Sequence, residues 1–235
     1  MTGRAVDAVL LDVGGVFCLP EHAGVLTVLA RAGARVDPDR LDRAHYLALA
    51  ESERAADGSA LAETMARYRR AYLRALEVPA DRWEAAGREL FDEPGFRVGW
   101  TRLRAGTVEE LRALARSGVA LAIVSNAEGT IERQLRDLGV CQVGPGPGVA
   151  MAAIVDSTVV GVAKPDPRIF GIALGAAGVR PDRAVHVGDM LSTDVAGARA
   201  AGVRPLHYDP YRLCPGGGHE DVASLTELSP LLGLG

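Results

Sequence analysis

Three carboxylate or hydroxyl positions each follow a short, largely apolar run: Asp12 after Ala8–Leu11, Ser125-Asn126 after Val119–Val124, and Asp189 after Ala184–Gly188. Between the last two lies Lys164, in Gly161-Val162-Ala163-Lys164-Pro165-Asp166-Pro167. It is the only lysine among 26 Lys and Arg residues. A chain that otherwise uses arginine keeps lysine where a compact ammonium is needed and a planar guanidinium would not fit. Together these groups suit phosphoryl transfer through a carboxylate. Asp12 can attack phosphorus and divide hydrolysis into formation and breakdown of an aspartyl-phosphate. Asp12 and Asp189 can share a Mg²⁺, a hard cation that prefers oxygen ligands, and the ion offsets repulsion between an anionic nucleophile and an anionic substrate. Lys164 supplies a point charge, and Ser125 with nearby backbone N–H groups donates to the transferring group. Gly14 and Gly15 let the backbone approach metal and phosphate closely.

The elements that must position these groups are legible from periodicity. Ala8–Leu11, Val119–Ser125, Ala152–Asp156, Ala184–Gly188 and Arg204–Tyr208 read as buried strands. Amphipathic helices fall between them. One carries Ile131, Leu135 and Leu138 on a shared face and stops at Gly139. Another carries Ile169, Ala173, Leu174 and Ala177, starts with Asp166 as N-cap and Pro167 at its first position, and stops at Gly178. Alternating strands and helices imply an α/β fold, a parallel sheet covered on both faces, whose ligand crevice lies outside the carboxyl ends of the strands. Residues 19–98 break the alternation and carry helical periodicity, as in Leu61, Met65, Tyr68, Tyr72 and Leu76. We read them as a helical cap inserted into a core of residues 1–18 and 99–235. Tyr46, Tyr68, Tyr72 and Trp83 read as its packing residues. Gly144–Gly148 and Pro215–Gly218 read as loops.

Composition narrows the class. With 235 residues, 48% hydrophobic and 24% charged, there is ample material for a core. A net charge of −4 argues against a nucleic-acid partner. Cys18, Cys141 and Cys214 are odd in number and far apart, which suits reduced thiols in the cytoplasm and supports no zinc site or disulfide framework. Asp7 and Asp12 interrupt any signal-peptide core, and no apolar run is long enough to span a bilayer.

Asp12-Val-Gly-Gly-Val16, the strand into Ser125-Asn126, Lys164-Pro165, and Gly188-Asp189-Met-Leu-Ser-Thr-Asp194 resemble, in order, the four motifs of the haloacid dehalogenase-like (HAD) hydrolase superfamily. The insertion just after the first motif resembles the subfamily with an α-helical cap over a Rossmann-like core. The resemblance implies Asp12 as nucleophile, Ser125 as phosphate ligand, Lys164 as charge stabiliser and Asp189 as a Mg²⁺ ligand. It makes Asp194 a metal-site or outer carboxylate and the Gly14 carbonyl a further metal ligand; Gly15 and Asn126 are expected beside the bound group. The expected partner is a small phosphorylated metabolite, with neither nucleic acid nor membrane involved.

One departure matters: family phosphatases usually carry a second aspartate two residues after the nucleophile, where this chain has Gly14. General acid–base help is worth roughly 10²–10⁴-fold. Three explanations stand: a substrate whose leaving group departs unaided, such as a sugar 1-phosphate; a stand-in such as Glu21 or His22; or a catalytically silent binding protein. Two other branches lack that aspartate. Phosphonatases need a cap lysine, which this chain does not have. Dehalogenases carry a fourth motif without the Gly-Asp pair present here, and rank behind the phosphatase reading.

Overall fold

The computed structural model describes residues 6–54, 61–91, 99–214, 216 and 218–234. The first five residues of the N-terminal reading and parts of the inserted segment and of the Pro215–Gly218 loop lie outside the described residues. The chain divides into two compact units: residues 1–17, 104–210 and 216–235 form one, and residues 18–103 with 211–215 form the other.

The first unit is built on a six-stranded sheet. Its order is Glu220–Val222, Arg204–Tyr208, Ala184–Gly188, Ala8–Leu11, Ala120–Ser125, Ala153–Asp156, and every neighbouring pair is parallel. All four residues of Ala8–Leu11 are buried, as a strand covered on both faces requires. Leu10, Ala122 and Val124 pack with Ile169, Phe170, Ala173 and Leu174 of the helix Pro167–Ala177. That helix begins as its sequence demands: the Asp166 carboxylate accepts the Arg168 N–H, proline occupies the first turn, and Gly178 closes it with a left-handed backbone.

The strand sequence reverses direction beside Ala8–Leu11: the chain first builds outward through Ala120–Ser125 and Ala153–Asp156, then returns to add Ala184–Gly188 on the other side. Such a switch point opens a crevice at the carboxyl ends of the two strands that flank it. Leu11 is in register with Val187, and Asp12 N–H donates to the Val187 carbonyl at 2.9 Å. The topology therefore sets the residues after these two strands, Asp12 and Asp189, at one crevice.

Three features differ from the sequence reading. Leu138 is 36% exposed, because the helix Ile131–Asp137 has ended before it and the chain turns through Gly139 at φ +67°. Cys141–Val143 and Val149–Met151 pair as a separate two-stranded sheet around the Gly144–Gly148 loop, and Glu220–Val222 adds an edge strand. These segments are three residues long, too short for a periodic signal.

The second unit holds helices His22–Arg31, Asp39–Arg54, Leu61–Ala75 and Trp83–Phe91, with Cys18–Leu19 paired antiparallel to Arg102–Leu103. Its core is aromatic. Tyr46, Tyr68 and Tyr72 are buried, and His45 contacts Tyr46, Tyr68 and Trp100 edge-on. His45 Nδ1 lies 2.8 Å from the Tyr68 hydroxyl. Burial lowers the His45 pKa to about 4, against a weaker opposing pull from Asp42. A folded pKa below the unfolded value means that unfolding takes up a proton. The stabilisation is complete above pH 6.5 and is lost progressively as pH falls toward 4. Urea unfolding should show this unit about 2 kcal/mol less stable at pH 5 than at pH 7 through His45. His45→Gln should flatten that slope; equal slopes in both proteins would rule the histidine out as its source.

Candidate active site

Asp12, Ser125, Lys164, Asp189 and Asp194 are all buried and all belong to the first unit. Each is held by the local chain. Asp12 and Asp189 continue the two strands that flank the switch point, and Ser125 ends the neighbouring strand Ala120–Ser125. Lys164 is fixed by Asn126, whose carboxamide accepts the Lys164 N–H at 2.8 Å and donates to the Lys164 carbonyl at 3.0 Å. Both ends of the Asn126 side chain thus bond the lysine loop and position Lys164. The peptide bond that follows, Lys164–Pro165, is cis.

The ammonium of Lys164 joins two carboxylates: Nζ is 2.9 Å from Asp12 Oδ1 and 2.7 Å from Asp194 Oδ1. Burial alone would depress its pKa, but the charges of Asp12 and Asp194 prevail and push it up to about 12. Lys164 is a fixed cation and no general base.

Asp194 accepts from several groups. Its Oδ1 also accepts from His186 Nε2 at 2.8 Å, and its Oδ2 accepts from Met190 N–H at 3.2 Å and Thr193 Oγ1 at 3.4 Å. Burial works against its ionisation, yet Lys164 and His186 overcome this and hold the carboxyl well below the usual range. Asp12 and Asp189 move the other way. Burial raises both, and Asp189 is raised further by the charges of Asp12 and Asp194.

Carboxylate oxygens of Asp12, Asp189 and Asp194 lie within 4.8 Å of one another. Three buried acids against one ammonium is an excess of negative charge, which a divalent cation would balance. The donors are all hard oxygens, the set Mg²⁺ prefers. The glycines show how tightly the acids are seated. A Cβ at Gly15, where φ is +71°, would stand 1.7 Å from Asp189 Oδ2, and one at Gly188 would stand 2.2 Å from Asp194 Cγ. Gly14 contributes backbone alone at its half-buried position. Gly15→Ala should therefore drive the Asp189 carboxylate from its place and weaken Mg²⁺ binding on the order of 10–100-fold, the range seen when groups supporting a metal site are lost. Calorimetric titration checks this, and wild-type affinity in the variant would show that Asp189 does not need the cradle.

Other polar residues near the strand ends and turns take structural roles. Asp156, at the end of its strand, accepts N–H groups of Thr158, Gly129 and Ile131 at 3.0, 2.8 and 3.4 Å. His22 lies 2.9 Å from Asp42 within the second unit, and Glu21 is an exposed N-cap residue there. The residues that the sequence reading passed over are His186 and His207. His186 reads as a core residue of a strand, and only its place two residues before Gly188, on the same face, hints that it meets Asp194. His207 Nε2 donates to the Asp189 carbonyl at 3.1 Å, a contact made across strands that no local spacing reveals.

The geometry defines a hydrolase-type carboxylate site on a Rossmann-like sheet, and comparison with known proteins gives the family. A haloacid dehalogenase-like hydrolase profile matches residues 6–202, so the chain belongs to that family. Phosphoserine phosphatase of Thermus thermophilus is 42% identical over 94 residues, covering 40% of this chain and 35% of that one. Human N-acylneuraminate-9-phosphatase is 32% identical over 167 residues, covering 63% and 61%. The chain thus aligns with between about a third and three-fifths of these relatives' length. Among solved structures, the putative HAD-hydrolase YfnB of Bacillus subtilis, bound to magnesium, superposes with a TM-score of 0.60 at 20% identity, covering 97% and 99%. A 2-haloacid dehalogenase of Pseudomonas syringae gives 0.55 at 23%, covering 97% and 98%. These structural likenesses establish the fold, which phosphatases and dehalogenases share. Among the described residues no helix is long and apolar enough to cross a membrane.

Proposed function

We propose that this protein is a Mg²⁺-dependent cytoplasmic phosphatase of a small phosphorylated metabolite, working through an aspartyl-phosphate on Asp12. The observation that carries the reading is the buried cluster in which Lys164 bridges Asp12 and Asp194 while Asp189 stands among the acids. The phosphatase names of the curated relatives support it.

Asp12, Asp189 and the Gly14 carbonyl would hold the metal. When bound, Mg²⁺ supplies positive charge to the phosphate oxygens and lowers the repulsion met by the nucleophile. Lys164 holds Asp12 Oδ1, which leaves the second carboxylate oxygen to attack phosphorus. As the Asp12 O–P bond forms, the bond from phosphorus to the leaving oxygen breaks and its electron pair departs with the leaving group. Ser125 and backbone N–H groups donate to the phosphoryl oxygens in the in-line transition state. Water then attacks phosphorus as the Asp12 O–P bond breaks, its proton passing to solvent, which releases inorganic phosphate and restores the carboxylate. Asp194 serves by orienting Lys164, since its own oxygens are committed to Lys164, His186, Met190 and Thr193. The second unit acts as the cap that selects the substrate and excludes water.

Gly14 sets the substrate class. With no carboxylic acid two residues after the nucleophile, the leaving oxygen takes its proton from solvent, which favours esters whose leaving group is stable as an anion, sugar 1-phosphates among them. The same glycine favours a second reading, a HAD-fold protein that binds a phosphorylated ligand without turning it over. The experiment that separates them is p-nitrophenyl phosphate hydrolysis with Mg²⁺ and with EDTA, because nitrophenolate leaves without an acid. Turnover that requires Mg²⁺ supports the phosphatase; no turnover with Mg²⁺ bound supports the silent binder. Halide release from a haloacid that ignores EDTA would support the dehalogenase instead.

A further inference from the structure

Behind the carboxylates, the same sheet assembles a second, chemically different donor set. His207 lies on the strand Arg204–Tyr208 and Asp221 on the edge strand Glu220–Val222, and parallel pairing puts the two residues directly opposite each other. His207 Nδ1 is 2.8 Å from Asp221 Oδ1, and His219 Nε2 is 3.1 Å from the same oxygen. The two rings meet edge-on with centroids 5.0 Å apart, and each brings a nitrogen within 4.8 Å of one on the other. Both histidine side chains are at most 8% exposed.

The tautomer of His207 gives this cluster its meaning. The Asp189 carbonyl is only an acceptor, so Nε2 of His207 carries the hydrogen. That leaves Nδ1 facing a carboxylate oxygen 2.8 Å away, where either its own proton or a metal ion can join the two. His219 aims its own nitrogen at that oxygen from another side. A histidine whose outer N–H is tied to a backbone carbonyl while its inner nitrogen faces other donors is how metal-ligating histidines are oriented. A tetrahedral metal with ligands at about 2.0–2.1 Å separates its donors by roughly 3.3 Å, so a bound ion would require His207 Nδ1 and Asp221 Oδ1, now 2.8 Å apart, to move about half an ångström apart, and His219 less.

The geometry points to a zinc site formed by His207 Nδ1, His219 Nε2 and Asp221 Oδ1. The imidazole nitrogens select a transition ion over Mg²⁺, whereas the all-oxygen set of Asp12, Asp189 and the Gly14 carbonyl selects the reverse. The two ions would therefore sort themselves by ligand chemistry. The zinc would fasten the edge strand to its neighbour and, through His207, steady the carbonyl of Asp189. This assignment is independent of the phosphatase reading and of any turnover.

The test uses untagged full-length protein stripped with a chelator and titrated with Co²⁺, whose visible bands report nitrogen ligation in a four-coordinate site. The expected result is one equivalent of Co²⁺ bound in the presence of excess Mg²⁺, displaced by Zn²⁺, with one zinc per chain retained through gel filtration. Asp12→Asn should bind Co²⁺ as wild type does. His219→Ala and Asp221→Asn should each lose affinity at least 10-fold and lose the rise in thermal midpoint that Zn²⁺ gives wild type. A wild-type protein that shows no Co²⁺ bands and keeps no zinc overturns the site, because the proton alone would then hold the cluster. Bands that persist unchanged in both variants overturn it equally. The wild-type titration decides even if a variant fails to fold.

Discussion

Asp12→Asn will give a folded protein whose phosphomonoester turnover has fallen by about 10⁴-fold or more, a loss typical of removing the nucleophile from a set of groups that act together. The fold should survive, because the substitution keeps the shape of a side chain whose neighbours are buried acids. Asp12 is held with its pKa raised by burial, so a neutral amide there removes a charge the interior already resists. Lys164 loses one partner but keeps Asp194 at 2.7 Å. Circular dichroism and the thermal midpoint should therefore stay near wild type while the rate collapses. A variant that keeps a tenth of the activity would show that another group attacks phosphorus. A variant that fails to fold would show that the acid is needed for structure.

Lys164→Met is expected to have the second largest effect, and it acts on both stability and rate. Among the described residues the ammonium is the one cation that touches Asp12 and Asp194 together, and it is 3% exposed. Taking one partner from a buried ion cluster destabilises by about 3–5 kcal/mol, because the charges left behind are unpaired. Methionine fills much of the same volume, so the loss isolates the charge. Mg²⁺ should restore stability to this variant more than it adds to wild type, since the ion then meets three acids with no competing ammonium. Lys164→Arg should not rescue it: the guanidinium is wide and planar, and the Gly15 and Gly188 contacts show how little room the acids leave. Chemical denaturation with and without Mg²⁺ measures this. Wild-type stability for Lys164→Met would mean that the cluster is neutralised by protons and not by the lysine.

The strands that carry chemistry were legible because a fully buried parallel strand is a continuous apolar run, and the polar residue ending it is conspicuous. Ala8–Leu11 into Asp12 and Ala184–Gly188 into Asp189 are of this kind. The helix Pro167–Ala177 was legible at both ends, since Asp166, Pro167 and Gly178 are local signals. What lay beyond reach depended on register or on tertiary bonds. Nothing in the spacing of Asn126 says that its amide closes on Lys164, 38 residues later, and a polar residue at a strand end is as apt to meet a ligand. Asp156 ends a strand much as Asp12 does, yet caps the turns at Gly129 and Thr158 instead of joining the site. His207 and Asp221 come together only because the last two strands pair in one register, and the three-residue edge strand is too short to announce itself.

The account rests on Asp12 becoming a covalent carrier of phosphate, and that can be observed directly. Protein mixed with an excess of p-nitrophenyl phosphate and Mg²⁺ is quenched in acid within the first turnover, digested, and its peptides are weighed by mass spectrometry. The account predicts that the peptide containing Asp12 is heavier by one phosphoryl group, that the label sits on Asp12, and that it is absent from Asp12→Asn and from samples quenched without Mg²⁺. Turnover in wild type with no phosphorylated peptide at any quench time, or a label on another residue, would contradict it.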